Sequence, residues 1–373
     1  MNFCLFIGLF IGLWYNKIYF FKRCNMEKIA IGMSGGVDSS VTAAMLLSQG
    51  YDVEGIILRL KPGESADNDI EDARRVSDFL GIKLHVLDCR EQFEKNVISP
   101  FINEYQCART PNPCVECNSA IKFGVMLDYA LDELECDKLA TGHYAQVENI
   151  YGTHLLKCSR SNKDQSYFLY RLNQHQLAHA MFPLDGFEKE AIRKYAENLG
   201  IPVASKRDSQ EICFVPDDDY VAFLSSRGIT SPEGNFIDPD GNILGRHSGI
   251  INYTVGQRKG LGAFGKPMFV NSLNAENNTV TIGENGTQYS IGLVADRLNV
   301  ISNLNFPDKF SAHVKIRFRA KPEPATVIRT GEDTFTVIFE NPQRSVTPGQ
   351  GAVIYQGEYV LGGGRIISQI RSL

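Results

Sequence analysis

The chain has 373 residues, 43% of them hydrophobic and 22% charged, with a formal net charge of −5. That balance excludes a disordered or fibrous protein and leaves room for two or three domains. It also excludes a surface coated in positive charge, though not a local basic face. Nine cysteines, an odd number in a chain of this length, speak against a disulfide scaffold and for reduced thiols in the cytoplasm.

Residues 1–21 read MNFCLFIGLFIGLWYNKIYFF and carry one charge, Lys17. The uncharged stretch before Lys17 is shorter than the roughly 20 residues a spanning helix needs. A positive leader and a small-residue cleavage site are both missing. The simplest reading is that translation starts at Met26 and residues 1–25 are an upstream extension. A membrane-surface anchor and a cleaved signal are the other readings, and no stable membrane partner is expected.

From Lys28 to about Leu199, strand-like runs alternate with helical patterns. Strands are expected at Lys28–Met33, Val53–Leu60, Ile82–Leu87 and Lys138–Thr141. Helices are expected at Ser39–Ser48, Ile70–Leu80, Glu91–Tyr105 and Ala120–Leu134. This alternation predicts an α/β domain with a parallel sheet between helices, its ligands at the carboxyl ends of the strands. Near residue 226 the character changes to short β-rich runs punctuated by Asp238-Pro-Asp-Gly241, Asn277-Asn278 and Glu284-Asn-Gly286. A third section begins near 293. There His313–Ala320 alternates Val314, Ile316, Phe318 and Ala320 against Lys315, Arg317 and Arg319, as on a half-buried strand with a basic outer face. The expected division is 26–225 for the catalytic domain, 226–292 for a small central β-rich domain and 293–373 for a C-terminal β-barrel.

The string KIAIGMSGGVDSS, residues 28–40, reads as strand, tight turn and helix start. Gly35 and Gly36 let the backbone bend and approach an anion, and the amides of Asp38, Ser39 and Ser40 then face it from a helix N-terminus. A carboxylate beside phosphates is repulsive unless it holds a cation, so Asp38 is expected to bind magnesium with ATP. The lysine of a GxxxxGK[ST] loop is absent. The loop instead resembles that of the ATP pyrophosphatases, which adenylate an oxygen and release pyrophosphate.

Thr110-Pro-Asn-Pro-Cys114-Val-Glu-Cys117-Asn118 lies between two helical patterns, and Cys213 stands alone in DSQEICF. At a helix N-terminus a thiol is expected to ionise more easily. Three readings follow from the residues alone. Cys117 and Cys213 form a working redox pair; or Cys114 and Cys117, with Cys107 or Cys213, bind a metal or iron–sulfur cluster; or all are inert.

Eight strings occur in order: GMSGGVDSS (32–40), RTPNPCVECN (109–118), ATGHYA (140–145), KDQSYFLY (163–170), SQEICF (209–214), YTVGQRKGLG (253–262), SVTPGQ (345–350) and LGGG (361–364). Together they resemble the tRNA-specific 2-thiouridylases over Lys28 to Gly364. The resemblance implies an adenine-nucleotide alpha-hydrolase-like (PP-loop) catalytic domain and a tRNA-uridine 2-sulfurtransferase. Its substrates would be ATP and the wobble uridine of the Lys, Glu and Gln acceptors. A cysteine desulfurase or sulfur relay protein would supply a persulfide to Cys213. Cys117 would act as nucleophile, leaving a Cys117–Cys213 disulfide. An iron–sulfur cluster on Cys114, Cys117 and Cys213 is the alternative sulfur carrier.

By the same resemblance, Gly32, Met33, Ser34, Gly35, Gly36, Val37, Asp38, Ser39, Leu58 and Gly142 bind ATP. Asn112, Pro113 and Cys114 face the flipped base, and Lys163, Asp164, Gln165, Arg317 and Phe318 contact tRNA. Cys114 stands where many relatives carry Asp, and Leu58 where Met is frequent. His143 is expected either as a base or as a structural hydrogen-bonder.

Overall fold

The computed structural model describes residues 26–206, 212–302 and 306–372. Residues 1–25 and the readings attached to them lie outside these. Among the described residues no helix is long and apolar enough to cross a membrane.

The first strands are apolar because they are buried. β1 (Lys28–Met33) carries Ile29, Ala30 and Ile31, all fully buried. β2 (Asp52–Arg59) and β3 (Lys83–Asp88) lie on one side of it, all parallel. β4 (Lys138–Ala140) lies on the other side. Next in the chain comes a hairpin, β5 (Ala145–Ile150) and β6 (Thr153–Cys158), and then β7 (Ala180–Met181), which completes the sheet order β3-β2-β1-β4-β7. Helices Val37–Ser48, Glu64–Leu80 and Lys189–Leu199 contribute to one core with β1, and a long helical run over 113–133 contributes to another. The expected parallel α/β sheet is present, with ends moved by a residue or two. The helix before β3 is longer than expected because Gly63 opens it and Gly81, at φ 70, closes it.

The two runs at 90–106 and 113–133 are not plain α-helices. Glu94–Ile98, Cys117–Val125 and Tyr129–Glu133 are π-helical. Such wide turns are uncommon and concentrate at functional sites. The longest begins at Cys117.

The central section forms a four-stranded sheet from β8 (Gly234–Ile237), β9 (Ile243–His247), β10 (Met268–Asn274) and β11 (Thr279–Glu284), in the order β10-β11-β8-β9. Its core is continuous with the aromatic residues Phe93, Phe101 and Phe214. The last strands are β12 (Tyr289–Val300), β13 (Lys309–Lys315), β14 (Glu323–Arg329), β15 (Phe335–Arg344), β16 (Gly351–Gln356) and β17 (Tyr359–Ile370). They follow the order β12-β15-β14-β13-β16-β17, and β12 pairs with β17 to close a six-stranded barrel. The β5–β6 hairpin joins its outside through β6 and β17, tying the first section of the chain to the last.

One expected strand is corrected. The alternation at His313–Ala320 predicts a strand across that whole segment, but β13 ends at Lys315 and the chain turns at 316–320. Lys315 is 9% exposed, not on an outer basic face. Its ammonium lies 5.7 Å from the ring centre of Tyr167 and 5.5 Å from that of Phe318. Cation–π contact with two rings offsets part of the cost of burying the charge.

Candidate active site

β1 delivers the phosphate loop at its carboxyl end. Gly35 has φ +66, and a Cβ there would stand 2.7 Å from the Asp69 carbonyl oxygen, so only glycine fits. Gly36 is different: at φ −107 it needs no left-handed freedom and serves as the N-cap of helix Val37–Ser48. No side chain caps that helix. Its first amides are therefore available to an anion, with the helix dipole behind them. The hydroxyls hold the turn. Ser34 N donates to Ser39 Oγ at 3.2 Å, and Ser40 Oγ donates to the Gly36 carbonyl at 2.7 Å.

The other ATP-loop residues gather around this turn. Met33 and Val37 are buried, and Gly32 lets Met126 pass, since a Cβ there would meet its Cε at 2.9 Å. Gly142, past the end of β4, abuts the loop: a Cβ there would lie 3.0 Å from Ser39 N and from Asp38 Cβ. Leu58, near the end of β2, is half-buried and opposite Leu87 of β3.

Asp38 already has partners within the protein. Its Oδ1 accepts from Lys189 Nζ at 2.7 Å and from the Tyr144 hydroxyl at 3.0 Å. The carboxylate has a protein counter-ion, which can balance its charge beside the phosphates as a cation would.

The thiol half is built from three segments. The helix begins at Pro113, placing Cys114 in its first turn and Cys117 one turn in. Cys117 is buried in the same apolar cluster as Phe93, Phe101 and Phe214. Phe214 anchors the third segment, with its ring 5.6 Å from Phe93, 5.1 Å from Phe101 and 5.4 Å from Phe223. That anchor fixes Cys213, whose carbonyl accepts from Lys61 Nζ at 2.8 Å. Cys114 and Cys213 are exposed and Cys117 is buried; all three are free thiols.

The expected easy ionisation is reversed. Burial pushes the Cys117 thiol up to about 12, and nearby Cys213 and Cys114 raise it further while Lys122 lowers it. Cys114 and Cys213 are also raised, first by the protein packed around them, and Lys122 opposes this in both. Cys117 lies beyond the first helical turn, where the dipole is effective, so burial wins. The cluster reading is corrected too. Among the described residues no three His, Cys, Asp or Glu side chains converge to hold a metal ion. Cys117 lies inside the core while Cys114 and Cys213 face solvent.

The loop before Cys114 is clamped by the barrel. Thr110 N donates to the Pro348 carbonyl at 2.9 Å, and Gln350 Nε2 donates to the Thr110 carbonyl at 2.8 Å. Gly349 permits this approach: a Cβ would meet the Thr110 carbonyl oxygen at 2.7 Å. Arg109 pairs with Glu104 at 2.6 and 3.0 Å, and Arg365 joins Glu104 to Asp296 of β12. Asn112 and Pro113 then line a narrow crevice with Glu116, Tyr170, Arg297 and Arg365.

Three family models match in succession: a tRNA methyl transferase HUP domain over 27–217, a tRNA methyl transferase PRC-barrel domain over 221–284 and an aminomethyltransferase beta-barrel domain over 290–366. The tRNA-specific 2-thiouridylase MnmA of Clostridioides difficile (strain 630) is 46% identical over 354 residues, covering 91% of this chain and 98% of that protein. The protein of the same name from Carboxydothermus hydrogenoformans is 46% identical over 356 residues, covering 91% of this chain and 97% of its own. The chain belongs to the tRNA-specific 2-thiouridylase family.

The residues that the family resemblance places at tRNA divide into two kinds. Lys163 and Arg317 are exposed. Asp164 and Gln165 work within the fold: Asp164 accepts from Ser159 N at 2.9 Å and from the Ser166 hydroxyl at 2.9 Å, and Gln165 Oε1 accepts from Tyr144 N at 3.1 Å. Phe318 is half-buried, its ring 4.5 Å from that of Phe168. His143 sits against Thr141. Its Nδ1 is 2.7 Å from the Thr141 hydroxyl, and burial holds it neutral, well below the usual histidine range.

Sequence reading missed Lys189, Tyr144 and Lys122. Lys189 and Tyr144 are 151 and 106 positions from Asp38. No local pattern marks that convergence. Lys122 is five positions after Cys117, a spacing that shares a face only in the π-helical register seen over Cys117–Val125.

Proposed function

We propose that this chain is a tRNA-uridine 2-sulfurtransferase that makes 2-thiouridine at the wobble position, with AMP and pyrophosphate as the other products. Family membership supports the reaction. The observation that supports the mechanism is the packing of Cys117 and Phe214 into one core, which holds the segment carrying Cys213 close enough for its thiol to act on that of Cys117.

The uracil O2 attacks the α-phosphorus of ATP, pyrophosphate leaves, and O2 becomes part of an AMP leaving group. The uncapped helix after Gly36 receives the phosphates as they separate. Magnesium accompanies ATP and is assigned no protein ligand. Cys213 carries the incoming sulfur as a persulfide. Its terminal sulfur attacks C2 and AMP leaves. The Cys117 thiolate then attacks Cys213 Sγ, the persulfide S–S bond breaks, and its electron pair stays on the new 2-thio group. A Cys117–Cys213 disulfide remains for an external thiol to reduce. Asn112 and Pro113 frame the base, and Cys114 is a neutral neighbour. Lys163, Arg317 and Phe318 contact the tRNA, with the Lys, Glu and Gln acceptors as its set, and a cysteine desulfurase or relay protein loads Cys213. We assign ATP chemistry to 26–225, tRNA contact to 293–373, and the cytoplasm as the compartment.

The name of the matched models speaks of methyl transfer. Moving a methyl group has no use for an adenylated oxygen or for two thiols that meet, so thiolation is the reading the site favours. The test is tRNA 2-thiouridine content, by mass spectrometry, in cells whose only copy is Cys117→Ser or Cys213→Ser. Both lose the modification; retention in either variant contradicts the two-thiol mechanism.

A further inference from the structure

Lys189 breaks two local rules. It is the first residue of helix Lys189–Leu199, where the helix dipole disfavours a cation. It is also 6% exposed, where an ammonium is expensive to desolvate. Such conflicts mark positions held for function. The helix has an independent reason to be there: Ile192 and Ala196 are buried with Val41 and Ala44 of the helix that follows the phosphate loop. This packing delivers Lys189 to Asp38 at 2.7 Å, with a side chain 7% exposed. Tyr144, fully inside the fold, holds the same carboxylate oxygen at 3.0 Å. Tyr144 follows Gly142 by two positions, and Gly142 touches Asp38 and Ser39.

The loop therefore carries a carboxylate two residues past its glycine pair and no lysine of its own. Without a counter-charge, Asp38 would repel the polyphosphate that the uncapped amides attract. We propose that Lys189 is the fixed counter-charge of the phosphate loop: it neutralises Asp38, and Tyr144 orients it, so that the loop accepts ATP without a metal at Asp38. Lys189 is thus a positioning residue for the adenylation step. The inference rests on the ATP-dependent reading above for its choice of ligand.

The test is isothermal titration calorimetry of ATP with the full chain, in EDTA and again with magnesium. It needs neither tRNA nor sulfur, so it can fail while 2-thiouridine is still made, and the reverse. Lys189→Met is expected to weaken ATP binding at least about tenfold, because it leaves Asp38 uncompensated. Asp38→Asn, which keeps an acceptor for Lys189 and Tyr144 but removes the charge, is expected to tighten binding about threefold or more in EDTA. The double variant should return to within about threefold of the parent, the non-additivity of two coupled groups. Weaker binding by Asp38→Asn, in EDTA or only with magnesium, overturns the proposal in favour of a metal-ligand role. If Lys189→Met does not fold, Asp38→Asn decides alone by the same sign.

Discussion

The phosphate loop lies at the carboxyl end of β1 and the thiol site on the helical run that begins at Pro113, and the two are prepared to different degrees. The loop is ready as it stands. Its left-handed glycine is in place, its helix is uncapped, and its one acid has a cationic partner. The thiol site is not ready. Cys117 is buried and held protonated, its thiol pushed up to about 12, while Cys213 is exposed and its thiol is also raised. The difference teaches that adenylation is the preorganised half of the reaction. Sulfur transfer must wait for something to draw Cys117 and Cys213 together and to favour the thiolate. A reactive thiolate kept in check until the base is activated is protected from premature oxidation.

The comparison can be broken most severely at Gly35. Alanine there would have to hold φ near +66 and would drive its Cβ to 2.7 Å from the Asp69 carbonyl oxygen. ATP affinity, measured by calorimetry, should fall about 100-fold or more, since both left-handed strain and a backbone clash act on one turn. Persulfide loading of Cys213, followed by mass spectrometry, should be unaffected. Equal damage to both would show that the halves are not separately built.

Lys122 sharpens the other half. Its charge lowers Cys114, Cys117 and Cys213 alike. With Lys122→Met, single-turnover thiolation near neutral pH should slow severalfold, because the cation that favours the thiolate is removed. The sign is fixed. A thiol raised from 9.0 to about 12 is protonated at neutral pH, so the rate rises with pH in the parent, and loss of the cation moves that rise to higher pH. The same shift bears on stability. The folded chain binds the Cys117 proton more tightly than the unfolded chain, so this contribution is complete below about pH 9 and is lost as pH climbs towards 12. A pH–rate profile unmoved by Lys122→Met would remove Lys122 from the account.

The smallest effect is expected at His143. It is already neutral across the working range, so His143→Asn should leave the shape of the pH–rate profile between about pH 6 and 8 unchanged. Disappearance of an inflection in that range would make His143 a titrating base.

What was legible in the sequence follows the same division. The phosphate loop is specified by contiguous residues, 32–40, and strand–helix alternation places it at the end of β1. The parallel sheet and the three-part layout were legible for the same reason: buried strands, helical periodicity and turn residues are local signals. The counter-charge on Asp38 was not, because Lys189 is brought to it by packing between helices far apart in sequence. Nor was the state of Cys117, because a helix start promises a lowered thiol while the aromatic core around Phe93, Phe101 and Phe214 decides the outcome. The segment at His313–Ala320 shows the same limit. Its alternation is perfect, yet the strand ends at Lys315, which finds two aromatic rings inside the fold.

The central claim is that two thiols, and no cluster, move the sulfur. The most direct measurement is peptide mapping by mass spectrometry after one turnover of persulfide-loaded chain with ATP and tRNA, without reductant. The account predicts one Cys117–Cys213 disulfide for each 2-thiouridine formed. A full yield of 2-thiouridine with both thiols still free would contradict it.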